Sequence, residues 1–138
     1  MSSVLNDISG KLRTYLLGKE SLTDEVGTRI FAGPFPSIKT AKIDNQSNPK
    51  VSFRQTGGNP KVENFRYAFT VRADTLLEAR QISVIISNLF TQEAFGIEDD
   101  DGNNLSYWAG IEGSLNDTVD EITGNPEVFF NVNFTSIY

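Results

Sequence analysis

Residues 64–90 read NFRYAFTVRADTLLEARQISVIISNLF, and the two halves of this stretch follow two different periods. Phe65, Tyr67, Phe69 and Val71 alternate with Arg66, Ala68, Thr70 and Arg72. Successive side chains of a strand point to opposite faces, so the pattern predicts a strand with one apolar and one polar face. After Asp74 the period lengthens. Ala79, Ile82, Ile86 and Leu89 form one stripe, widened by Ile85 and Phe90, which is the face of an amphipathic helix. Thr75-Leu76-Leu77-Glu78 is a capping box that places the N-cap at Thr75 and Glu78 at the third helical position. The helix is expected to run to about Phe90.

Working toward the N-terminus, Val51, Phe53 and Gln55 alternate with Ser52 and Arg54, and Gly57-Gly58-Asn59-Pro60 follows as a turn signal. These read as a strand and a hairpin connection. Residues 37–50 are polar, carry Lys39, Lys42 and Lys50, and show no periodicity, which predicts a long exposed loop. Thr28 to Phe31 is a short extended run closed by Gly33-Pro34-Phe35-Pro36. Val4, Leu5, Ile8, Leu12, Tyr15 and Leu16 recur at helical spacing, giving a first helix over residues 3–17. Ser2 or Ser3 would cap it and Gly18 would end it in the left-handed conformation. Gly10 weakens it by roughly 1 kcal/mol relative to Ala.

Toward the C-terminus, residues 98–104 form an acidic turn, and Leu105, Tyr107, Ala109 and Ile111 then alternate as a strand. Residues 113–125 are looser and hold at most one more short strand. Val128, Phe130, Val132 and Phe134 share one face of a final strand, with Phe129, Asn131, Asn133 and Thr135 on the other. The order α-β-β-β-α-β-(β)-β predicts an α+β fold: an antiparallel (mixed) β-sheet packed by two α-helices, in a single domain spanning residues 1–138.

Composition narrows the chemistry. The chain has 138 residues, no His and no Cys. That removes thiol nucleophiles, disulfides, imidazole acid–base catalysis and cysteine- or histidine-held metal centres. No cofactor and no enzymatic activity are expected. The formal net charge is −6, the wrong sign for a free-standing nucleic-acid binder. The N-terminus lacks a basic start and apolar run, and no apolar stretch approaches the length of a membrane span.

Each motif has a bland explanation. Asp99, Asp101 and Asn103 match the first three ligand positions of a calcium loop, but Asn104 and Gly110 stand where a glycine and a bidentate glutamate belong. A solvated hairpin turn accounts for them. Gly18-Lys19-Glu20-Ser21 resembles a phosphate loop only faintly, with Arg13 where the first glycine belongs. Arg54, Arg66 and Arg72 fall on the polar faces of adjacent strands, a pattern more often structural or interfacial than nucleic-acid-binding. The outliers are apolar residues on outward faces: Trp108, Phe129 and Ile137. A last strand apolar on both faces is either covered twice or exposed for a partner.

Several of these features together are familiar. They are the N-terminal helix, Arg29-Ile30-Phe31 with its proline-containing extension, and Val51-Ser52-Phe53-Arg54-Gln55-Thr56-Gly57-Gly58-Asn59-Pro60. After these come Val71-Arg72-Ala73, Leu77-Glu78-Ala79 inside a helix, and Phe130-Asn131-Val132-Asn133-Phe134. In this order they resemble the tail terminator (tail-completion, sometimes minor capsid) proteins of long-tailed bacteriophages. The resemblance implies a non-enzymatic virion protein made in the host cytoplasm and placed at the head–tail junction. Six identical subunits would form a ring that caps the head-proximal end of the tail tube, ends tube polymerisation and docks to the head connector or stopper protein. Genomic DNA would cross the lumen without specific binding. Outer faces around Trp108, Phe129 and Ile137 would supply subunit contacts. Lys39, Lys42 and Lys50, with Asp99, Asp100 and Asp101, would supply contacts along the tail axis. Another neck or head-completion connector protein is one alternative. A small accessory ligand-binding domain is the other.

Overall fold

The computed structural model describes residues 9–35, 47–58, 64–90, 94–98, 104–120 and 123–137. Its elements are α1 (Ser9–Leu17), α2 (Glu20–Val26), β1 (Ile30–Ala32), β2 (Lys50–Gly58), β3 (Asn64–Arg72), α3 (Leu76–Leu89), β4 (Ala94–Glu98), β5 (Asn104–Val119) and β6 (Pro126–Ile137). The six strands form one sheet in the order β1-β2-β3-β6-β5-β4. Only β1 and β2 pair in parallel, so the sheet is mixed and the fold is α+β.

The alternation in residues 65–72 sets the layers. Phe65, Tyr67, Phe69 and Val71 are all at most 1% exposed. The register carries their face across the sheet, Val51 and Phe53 lying opposite Val71 and Phe69, with Phe130 and Phe134 opposite Phe69 and Phe65. On this face Phe65 stacks on Phe134 (centroids 5.0 Å apart) and Phe69 on Phe130 (5.5 Å), while Phe90 from the end of α3 meets Phe69 and Phe134 edgewise or tilted. Leu12, Leu16, Leu22, Val26, Ala79, Ile82 and Ile86 from the helices join the same core. The helices therefore cover one face only.

α3 forms where its periodicity predicts. The Thr75 hydroxyl accepts a hydrogen bond from the Glu78 amide at 3.2 Å, and Thr75 itself is extended, as an N-cap must be. Ser83 is the one fully buried polar residue of its stripe; its hydroxyl donates to the Ala79 carbonyl at 2.8 Å. α1 packs against both β1 and β4, the strands at opposite edges of the sheet. Five strand spacings amount to about 24 Å on a flat sheet, whereas nine helical residues reach only about 13.5 Å. The sheet must therefore coil strongly, with the helices in its hollow. Arg13 ties α1 to β1 by donating to the Ile30 and Thr28 carbonyls.

Several expectations change. Three helices are described rather than two. α2 has only Leu22 and Val26 as buried apolar residues, too few to show a period. The residues before Ser9, with the proposed serine caps, lie outside those described. Gly18 ends α1 without entering the left-handed region; its N–H is shared between the Thr14 and Tyr15 carbonyls, and α2 starts two residues later. Positive φ after a helix is taken instead by Gly27, which follows α2 at φ 60° and ψ −130°. β4 adds a strand to the expected order; its five residues, with a central glycine, carry too little alternation to mark it. Among its described residues the loose 113–125 segment holds no separate strand: β5 runs through a register shift between Glu112 and Asn116, where Gly113 takes φ 82°, a conformation costly for any residue with a Cβ. Lys50 is not in an exposed loop. It opens β2 and is 6% exposed.

Candidate functional site

Among the described residues, the face of the sheet away from the helices is covered only at one end, where Phe35 lies over Lys50 and Arg72. It presents Arg54 from β2; Arg66, Ala68 and Thr70 from β3; Phe129, Asn131 and Asn133 from β6; and Trp108 and Glu112 from β5. Trp108 is 48% exposed and Phe129 43%, against 1% for Phe130, the next residue along the chain. β6 is thus central in the sheet but covered on one side only. That resolves the two-faced apolar pattern of its sequence.

Trp108 and Phe129 share this face without touching. Trp108 lies opposite Thr135, six residues from Phe129, or about 20 Å along the strand. Ile137 pairs with Ser106 at the end of β6, and nothing further is described of it. Lys39, Lys42, Asp99, Asp100 and Asp101 lie outside the described residues. β4 and β5, which flank the acidic segment, pair antiparallel with Glu98 opposite Asn104. Among the described residues no group of three His, Cys, Asp or Glu is placed to hold a metal ion.

Lys50 and Arg72 are neighbours across β2 and β3. The Arg72 guanidinium lies 4.4 Å from the centre of the Phe35 ring, and the Lys50 ammonium 5.2 Å from the same centre, so one ring serves two cations. Arg72 also donates to Glu127 at 2.7 Å and approaches Asp120 at 3.7 Å. Burial pushes the Lys50 ammonium below the usual lysine range, and the charge of Arg72 pushes it the same way. The result is a closed ionic cluster that pins the chain at Phe35 and leaves Lys50 little surface for a partner.

The remaining ion pairs run the same way. Arg66 meets Glu112 at 3.6 Å. Arg80 of α3 holds Asp117 of β5 through two hydrogen bonds, which keep that carboxyl below its usual range. Each joins an arginine of the first 80 residues to a carboxylate of the last 58. All 12 Lys and Arg of the chain fall at or before Arg80, and the residues beyond it hold ten Asp and Glu and no basic residue. The strand order places β1–β3 on one side of the sheet and β4–β6 on the other, so the fold turns a segregation along the chain into one across the sheet. Two of the three arginines on the suspected basic stripe are consumed by these pairs. Arg54 is exposed and makes no ion pair among the described residues. The segregation can be counted in the sequence; which arginine meets which carboxylate depends on register.

No protein-family model matches the chain, and no curated protein matches it. Eleven chains of solved structures do. One belongs to the virion of a native gene transfer agent particle. It is 11% identical, aligns over 99% of this chain and 98% of that chain, and superposes with a TM-score of 0.68. At that identity the likeness establishes a shared fold over the whole length.

Proposed function

We propose that this chain is a structural protein of a phage-like virion, and specifically the tail terminator: a homo-oligomeric ring, six-fold in the reading from its family resemblance, that caps the head-proximal end of the tail tube. The observation that carries the reading is end-to-end similarity of fold to a chain of a gene transfer agent virion, with almost nothing left over on either side. The open sheet face agrees with it. That face offers two exposed aromatic residues in a surface whose charges are mostly paired, and such a surface suits protein docking better than catalysis or phosphate binding. Its partners would be further copies of itself, the tail tube protein on one side and the head connector or stopper on the other. Six copies at −6 each carry a formal −36, so DNA crossing the lumen would be repelled rather than held. The working location is the head–tail junction of the virion.

Electron microscopy of lysates from the source phage with this gene disrupted tests the role. Overlong tail tubes beside tailless, DNA-filled heads are expected. Normal-length tails beside heads that leak or lack DNA would move the protein to the connector, and fully normal virions would end both readings. Trp108→Ala is expected to impair assembly while leaving the monomer's stability within about 1 kcal/mol, since the side chain is half exposed. Unchanged assembly would remove Trp108 from the interface.

A further inference from the structure

The helix side of the molecule carries a second exposed apolar patch, and an ion pair sits at its centre. Arg80 of α3 donates to both carboxylate oxygens of Asp117 of β5, through Nε at 3.1 Å and through Nη2. Residues three before and four after a helical position are its neighbours on the helix surface, and for Arg80 these are Leu77 and Val84. Asp117 pairs with the core residue Val128, so β5 turns Asp117 toward the helices, and Val119, two residues on, shares that face. Val119 pairs with Pro126, whose carbonyl accepts from the Ala73 amide just ahead of α3, which sets Val119 beside the first turn of that helix. Leu77, Val84 and Val119 are each about half exposed or more. Three of the five large apolar residues described as exposed thus gather round one ion pair, on the side of the sheet away from Trp108 and Phe129.

The patch is small and its charges cancel. Leu77 and Val84 are seven residues apart, about 10.5 Å along α3, or two turns. A few hundred Å² of apolar surface falls well short of the about 800 Å² that each side gives to a standard protein interface, so the patch fits one segment rather than a whole globular face. Residues at these helical spacings make the ridge against which a second helix packs. With Nε and Nη2 engaged by Asp117, the guanidinium is held as a fixed plate whose face accepts an aromatic ring. The surroundings select the charge at the occupant's margin. Beyond Arg80 the chain has ten Asp and Glu and no Lys or Arg, so the β5 side of the patch attracts a basic rim. Nucleic acid and anionic membranes carry the opposite sign.

We propose that this patch docks a short amphipathic helix of another protein, which sets one aromatic ring on the Arg80 guanidinium between Leu77 and Val84 and carries Lys or Arg at its margins. The outer sheet face and the helix side lie on opposite sides of the sheet, so a partner on each can bind at once. The inference goes beyond the tail reading, which places docking on the outer face, and does not depend on it.

The test is an NMR titration of isotope-labelled full-length protein with a synthetic helical peptide of about 15 residues, bearing Leu and one Trp along one face and Lys at both ends. The methyl signals of Leu77, Val84 and Val119 are expected to move and the Trp108 indole signal to stay. Leu77→Gln and Val84→Gln keep the helix and the net charge but remove the apolar contact, and each should weaken binding about tenfold. Arg80→Lys, which keeps the charge and loses the plate, should weaken it several-fold. The same peptide with Glu at both ends should bind about tenfold more weakly. The spectrum of each variant establishes that it is folded. No binding, shifts centred on Trp108, or an affinity indifferent to Val84→Gln or to the charge of the peptide would each overturn the inference. Concentration-dependent shifts of the same methyl groups in the protein alone would give the patch to a second copy, and shifts with phosphatidylglycerol vesicles would give it to a membrane; either result also overturns it. No phage component is used, so normal virions after gene disruption would refute the tail role and leave a positive titration standing.

Discussion

Phe129 and Phe130 are adjacent phenylalanines on one strand, and the one-sided sheet requires that they contribute very differently to stability. Phe130 is 1% exposed and stacks nearly parallel on Phe69, with centroids 5.5 Å apart. Phe130→Ala removes buried apolar area and leaves a cavity between β6 and β3 that the surrounding rings fill only in part. Such truncations cost about 3–5 kcal/mol, and the lost ring pair belongs to the upper part of that range. Phe129 is 43% exposed, faces away from the helices and leaves no enclosed void when truncated. Burying a whole Phe side chain is worth about 1.5–3 kcal/mol, and a little over half of it is buried here, so Phe129→Ala should cost about 1 kcal/mol. Urea unfolding measures both. With an unchanged slope, the midpoints should separate by an amount equivalent to at least about 2 kcal/mol, a large share of the ~5–15 kcal/mol that domains of this size possess. Equal costs within about 0.5 kcal/mol, or a larger cost at Phe129, would refute the layer assignment, because both faces of β6 would then be covered.

Gly10→Ala should stabilise the protein by about 0.5–1 kcal/mol in the same assay, since a Cβ at this exposed helical position meets nothing within 4 Å; a loss of stability would mean that α1 does not continue through residue 10 as drawn. Thr75→Ala should cost about 1 kcal/mol by removing the oxygen that accepts from the Glu78 amide, and Thr75→Ser should recover most of it. Lys50 has a folded-state pKa below its ordinary value of 10.5. Between those two values the unfolded chain binds more protons, so the penalty of holding the buried ammonium is full below the folded pKa and relieved as pH rises toward 10.5. Urea midpoints of the native chain should therefore rise relative to Lys50→Met as pH is raised from 7 to 10; a constant difference would show that Lys50 titrates normally.

The main elements were legible in the chain because each carried a complete local signal. Residues 64–90 contain four full alternations followed by four turns of helical period behind a capping box, and nothing distant was needed to read them. Where the signal was short or interrupted, reading failed. α2 and β4 have seven and five residues, too few for a period to repeat. β5 reads as two segments in the sequence because Gly113 and the following bulge break its alternation, while the pairing with β6 resumes at Asn116. Lys50 departs from its sequence pattern for another reason. A lysine after a polar, aperiodic stretch resembles loop, and the Phe35 ring and the carboxylates of Glu127 and Asp120, which converge on it from distant parts of the sequence, offset its burial beside Arg72.

The surface divides along the same line. That Trp108 and Phe129 point outward follows from period-two alternation alone, which is a property of each strand by itself. The sequence likewise determined the exclusion of thiol and imidazole chemistry and the confinement of every basic residue to the first 80 positions, since these are counts. Tertiary structure alone decided that the described helices all lie on the other face and that the basic and acidic segments form opposite halves of one sheet. Each of these depends on strand order and register, which are set by pairings between residues as far apart as Asn64 and Thr135, and no local pattern in the chain encodes them.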